Sequence, residues 1–156
     1  MNIFEMATEN LLSRRTYTPM LSKIEGNDIL VKMEKGEEIL PTLSKVVEKY
    51  GVSSGTVVFG IGMIKNLEVG YFNGKEYEKK VYPENLETLS FHGSIAENEP
   101  RFHIHASCAN RDHNVVGGHL FSGMADPLLE IQIRKLNEVK FRREKNQKSG
   151  LMELTL

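Results

Sequence analysis

Four of the five histidines in this 156-residue chain fall in one stretch, Arg101 to Gly123. Three of them, His103, His105 and His119, have a spacing that can bring them to one surface. On a strand, alternate residues share a face. His103 and His105 then point the same way, with Arg101 beside them, while Phe102, Ile104, Ala106 and Cys108 point into a core. The polar run Asn110 to Asn114 reads as the tip of a hairpin. If the turn centres on Arg111 or Asp112, paired positions sum to about 222–224 and His119 lies opposite His103 or His105. An even sum places three imidazoles on one face. An odd sum sends His119 to the core side, and no cluster forms.

Neutral imidazole is the common zinc ligand, and three histidines with an open fourth position make a catalytic-type zinc shell. The expectation is a divalent metal, zinc first, on His103, His105 and His119. The spacing suits a sheet and not a helical H-E-x-x-H site. Gly117 and Gly118 would let a neighbouring backbone, or a ligand, come close to His119. Two residues are candidates for catalytic work. Glu87 could stand behind the ligands or carry a proton, its plainer role being a solvated strand residue. Arg101 could grip an anionic ligand bidentately, its plainer role being a surface residue at a strand start. His92 could also stand behind the ligands, His113 suits the turn, and Cys108 reads as a small core residue. Gly60-Ile61-Gly62 is not a dinucleotide fingerprint. Lys65 stands where its third glycine belongs, and no helix start follows.

These residues need a sheet to hold them. Asp28–Met33 is a short β-type run. Residues 38–50 form the best helix, with Ile39, Leu40, Leu43, Val46, Val47 and Tyr50 at helical spacing and Gly51 placed to stop it. Gly55–Ile64 is apolar on both alternating sets, as in a central strand. Asn66–Phe72 continues it, Asn73-Gly74 is a hairpin turn, and Lys75–Tyr82 is a charged edge strand. Leu86–Ile95 is a strand with Gly93 at a bulge or close approach. Asp126-Pro127 ends the second histidine strand, and Leu128–Leu136 alternates as another. The run 137–150, with Lys140, Arg142, Arg143, Lys145 and Lys148, reads as a solvated basic face, and Leu151–Leu156 can add a last strand. The expected class is α+β: a single domain over 1–156, with a large, mostly antiparallel sheet of six to eight strands packed on one main helix. Residues 1–23 are a leader, with a strand near Thr16–Ile24.

Composition narrows the function classes. The chain is 40% apolar and 26% charged, with a net charge of −1. A protein relying on phosphate contacts is usually basic, so naked duplex DNA is disfavoured as the main partner of the domain alone. No apolar run reaches the ~18 residues of a membrane span, and the N-terminus lacks a secretory pattern. The single cysteine, Cys108, fits a reducing cytoplasm.

The motifs Leu86-Glu87-Thr88-Leu89-Ser90, Gly93-Ser94-Ile95, His103-Ile104-His105-Ala106, Val116-Gly117-Gly118-His119-Leu120 and Glu130-Ile131 resemble the plants and prokaryotes conserved (PPC) domain. The resemblance spans roughly residues 24–155. It implies an α+β domain with a large antiparallel sheet, assembled as a homotrimer. It implies that His103, His105 and His119 are the family's three-histidine metal unit. In plants the domain accompanies AT-hooks in nuclear DNA-binding proteins, where it serves association with itself and with other regulators. This chain has no Arg-Gly-Arg-Pro hook, and it matches the plant partner-contact stretch only at Leu86–Leu89. The fold expected is also similar to that of acetolactate decarboxylase, which holds zinc with three histidines. Two function classes result. One is a DNA-binding or regulatory module with a metal site, self-associating as a trimer, with DNA or a regulatory protein as further partner. The other is a metal-dependent enzyme, a lyase or hydrolase acting on a small anionic substrate.

Overall fold

The computed structural model describes residues 20–156. The expected leader, including the start of its strand, lies mostly outside them. The elements run in the order β1 (Leu21–Glu25), β2 (Asp28–Glu34), α1 (Ile39–Lys49), β3 (Ser54–Phe72), β4 (Tyr77–Tyr82), β5 (Leu86–Ile95), β6 (Phe102–Ala109), β7 (Val115–Leu136), β8 (Arg142–Lys145) and β9 (Met152–Thr155). Seven strands form one sheet in the order β1-β2-β7-β6-β5-β3-β4, and β3 also pairs with β7. The pairings β3–β5, β5–β6, β6–β7 and β7–β3 therefore close a ring. Every pairing in the sheet is antiparallel. β8 and β9 make a separate two-stranded hairpin.

The α+β expectation is corrected by this architecture. Strands account for 63% of the described residues and helix for 8%. The chain is mostly β, because the sheet buries its inner face largely on itself. The one described helix fills a side of the barrel instead of forming a layer. Its termination follows from chain chemistry. Gly51 takes φ +58, its N–H donates to the Glu48 carbonyl at 3.2 Å, and the Val52 N–H donates to the Val47 carbonyl at 2.8 Å. That is a Schellman cap, with Val52 and Val47 both buried beneath it. Ile39, Leu43, Val46 and Val47 are fully buried against the sheet.

Two strands are longer than the sequence implies. β3 runs through Asn66, which takes φ 51 at a register shift between Lys65 and Glu68. β7 runs through Asp126 and Pro127 without ending. Pro127 is tolerated because it sits in an irregular step of the β3–β7 ladder, between Ala125 and Leu129, where no N–H is needed. At that step β7 also changes its other neighbour, from β6 to β2. These two strands form the frame, and the histidine hairpin hangs on the first part of β7.

Candidate metal centre

The β6–β7 hairpin has a tip at Asn110–Asn114. The Asn110 side-chain oxygen accepts from the Asp112 and Asn114 N–H groups at 3.0 and 2.9 Å, and His113 takes φ 61. That short polar side chain fixes the turn, as Asx geometry does. The register that results pairs His105 with His119, Ala106 with Gly118 and Cys108 with Val116. Paired positions sum to 224, an even number, so His103, His105 and His119 share one face. Ile104, Ala106 and Cys108 take the other and are buried. Burial pushes the Cys108 thiol up to about 11, leaving it a neutral core group.

The three rings form a compact cluster. Their centroids lie 5.1 Å apart for His103–His105, 5.0 Å for His103–His119 and 5.6 Å for His105–His119. One ring nitrogen from each lies within 4.8 Å of the others. The Nε2 atoms of His103 and His105 are 3.2 Å apart. Two nitrogens on a tetrahedral ion with bonds of ~2.0–2.1 Å sit about 3.3 Å apart, so this pair already has ligand spacing. The Nδ1 atom of His119 is buried and has no hydrogen-bond partner. A buried polar atom without a partner needs an explanation, and a nearby cation is a sufficient one. The donor set fits a divalent cation that prefers imidazole.

Electrostatics keep the rings in their ligand form. Burial, then the charges of His103, His105, Arg143 and Lys79, hold His119 down at about 4. His103 is lowered by burial, then by His105 and Arg143. His105 is lowered by burial and then by His92. All three are neutral near pH 7.

The other candidate residues fall in different places. His92 pairs with His105 from β5, so it lies in the same row across the sheet, and its Nδ1 is 2.9 Å from the Ser90 hydroxyl. Glu87 is exposed and pairs with Ala109, four residues beyond His105, or about 13 Å at strand rise. Arg101 donates to the Val52 carbonyl at 2.6 Å, which ties it to the chain after α1. Neither is brought to the histidines. Gly117 and Gly118 do allow close approach, but by neighbouring strands. A Cβ at Gly117 would overlap the Ala106 carbonyl oxygen, and one at Gly118 would lie 2.6 Å from that of Gly70.

Two residues beside the cluster were not singled out from sequence, and a third, Arg143, expected on a solvated basic face, is instead buried. Tyr77 and Phe121 each stack within 4.9 Å of the His119 ring. Arg143, from β8, is 3% exposed and donates to the Ser94 hydroxyl at 2.7 Å. Ser94 pairs with His103. The only available signal for Arg143 was alternation: of two successive arginines on a strand, one must face inward. Together with His103 and His119 these residues line a cavity of about 590 Å³ under the β8–β9 hairpin.

Comparison with known proteins shows the family of the chain. The chain resembles a structure of a candidate DNA-binding protein from Bacteroides thetaiotaomicron, with 26% identity, 87% of this chain and 96% of that one covered, and a TM-score of 0.80. A metal-containing protein from Archaeoglobus fulgidus is also similar, at 26% identity, 87% and 99% coverage and a TM-score of 0.76. So is a plant- and prokaryote-conserved protein from Pyrococcus horikoshii, at 29% identity, 89% and 98% coverage and a TM-score of 0.73. No curated protein matches the sequence. The model of the Plants and Prokaryotes Conserved domain matches residues 20–137, which carry the whole three-histidine cluster, and the chain belongs to that family.

Proposed function

We propose that this protein is a metal-holding regulatory module. His103, His105 and His119 bind one divalent ion, zinc first, and the chain self-associates as a homotrimer that takes part in DNA binding or gene regulation. The observation that carries the metal is the shared face of three neutral imidazoles with one buried, unpartnered nitrogen. The Archaeoglobus neighbour, called metal-containing, supports it. The DNA role is supported by the Bacteroides neighbour, named a candidate DNA-binding protein. Binding of DNA would fall steeply with salt. Titrating duplex DNA at low and moderate salt tests it, and absence of binding at low salt removes it.

Self-association is supported by an apolar strip. Leu30, Gln132 and Phe59 stand in one row across β2, β7 and β3, and Lys32, Glu130 and Ile61 in the next. Leu21 pairs with Lys32 from β1. Leu21, Leu30, Phe59 and Ile61 are all exposed, with Gln132, Lys32 and Glu130 between them, and exposed apolar residues bordered by polar ones mark an interaction site. The mass in solution, against 17.7 kDa for one chain, checks this.

A second reading is favoured by one observation: His103 and His119 open onto the 590 Å³ cavity, and no fourth protein ligand joins the three histidines among the described residues. That arrangement fits a metal-dependent lyase or hydrolase acting on a small anionic substrate, where a bound ion would act as a Lewis acid. Among the described residues no helix is long and apolar enough to cross a membrane.

A further inference from the structure

Arg143 is a buried guanidinium without a counter-ion. It is 3% exposed, and its Nε has no partner. Of its five N–H donors, one is placed on a neutral hydroxyl, that of Ser94. No carboxylate lies within 4.0 Å among the described residues. The main chain of Arg143 is fixed separately. Its N–H donates to the Asn98 side-chain oxygen at 2.8 Å, and its carbonyl accepts from the Asn98 amide at 2.9 Å. The side chain is therefore not needed to hold β8 in place. An unpaired buried charge is strongly unfavourable, and replacing it by an apolar side chain of similar volume is often neutral or stabilising. The arginine instead faces the cavity under the β8–β9 hairpin.

We propose that this cavity is a binding site for a small monocarboxylate carrying an apolar arm, with Arg143 as the residue that receives the carboxylate. The guanidinium presents a planar fork that matches a carboxylate bidentately. Tyr77, Phe102, Phe121 and Leu151 supply an apolar wall for the arm. A doubly charged phosphate suits the site less, because Glu153 also lines it. That carboxylate is held in place by Asn146 and Ser149 at 2.8 and 2.6 Å, and these hydrogen bonds keep it ionised. The site goes beyond the proposed metal binding and does not depend on it. The ligand would lie beside His103 and His119 whether or not an ion is present.

The test is calorimetric titration of benzoate and butyrate into the full chain, once in the presence of EDTA and once loaded with zinc. Both acids should bind in both conditions, and benzamide should not. Arg143→Met should fold with an equal or higher Tm and lose benzoate binding by about tenfold or more. Arg143→Lys should retain part of it. If Arg143→Met lowers Tm, the residue has a structural role. The proposal then stands on Arg143→Lys alone and is overturned if that variant binds benzoate as the wild type does. Equal binding of benzamide, or tighter binding of inorganic phosphate than of benzoate, overturns the carboxylate assignment. Arg143→Met that changes the oligomeric mass with benzoate affinity unaltered makes the arginine a subunit contact, and also overturns it. Loss of zinc binding with benzoate binding intact would overturn the metal reading and leave this one standing.

Discussion

Gly93→Ala should damage the fold and the histidine cluster together. Gly93 pairs with Ile104, next to His103, across the β5–β6 ladder. A Cβ there would overlap the His103 carbonyl oxygen and lie 2.8 Å from the Ile104 Cα and 2.9 Å from the His103 carbonyl carbon. All three are backbone atoms, so no side chain can swing aside. Relief requires β5 and β6 to separate locally by about 1 Å, which stretches the adjoining hydrogen bonds beyond useful length. Two weakened ladder bonds at about 1 kcal/mol each, together with overpacking strain of about 1 kcal/mol at the low end, give a loss of roughly 3 kcal/mol. For a chain of this size that lowers Tm by about 6–12 °C. The same displacement shifts His103 on β6 out of its position relative to His119 on β7, so zinc affinity should fall by about 10–100-fold, the range seen when a residue supporting a ligand is lost. Gly74→Ala is the control. It has open space around it and φ +95, so it should cost about 1 kcal/mol through backbone strain alone and leave zinc binding unchanged. Thermal unfolding and competition with a chromophoric chelator read both effects. A Gly93→Ala protein with wild-type Tm and zinc affinity would refute the close β5–β6 approach beside His103.

Three further outcomes are expected from the same structure. Metal-free protein should lose stability as pH falls from about 6.5 towards 4, because the unfolded chain takes up a proton that His119 in the fold, held at about 4, refuses. The full shift would correspond to about 3 kcal/mol, reduced in practice by solvent screening of a partly buried ring, and His119→Asn should flatten the slope of denaturant midpoint against pH. Leu43→Ala, at a fully buried position of α1, should cost about 2–5 kcal/mol in chemical denaturation while leaving zinc stoichiometry unchanged. Phe59→Asp with Ile61→Asp, on the exposed apolar strip, should reduce a trimer to monomers in light scattering, and an unchanged mass would place the subunit contact elsewhere.

The histidine face was legible because a strand has a fixed two-residue period. Once Asn110 and Asn114 marked the turn, only the parity of the pairing remained open, and the structure makes it even. The end of α1 was legible because Gly51 allows a cap that few other residues can form. The long strands were not. Asn66 and Asp126-Pro127 carry local turn signals, and only the change of neighbouring strands at those points lets the backbone pass through them. The α+β expectation has another source: a sheet of six to eight strands was expected and seven are found, but the one helix, of 11 residues, was given the weight of a layer. Arg143 was hidden for a different reason. Its strand has four residues, amid basic and polar ones, and composition cannot say which of two adjacent arginines turns inward. Arg101, on the histidine strand by sequence, is drawn away by the Val52 carbonyl.

The most direct measurement is metal content of the untagged chain purified without added metal. About one divalent ion per chain is expected, with zinc the first candidate, and that ion should be lost in both His103→Ala and His119→Ala. A metal-free protein whose affinity for zinc is the same with and without those substitutions would contradict it.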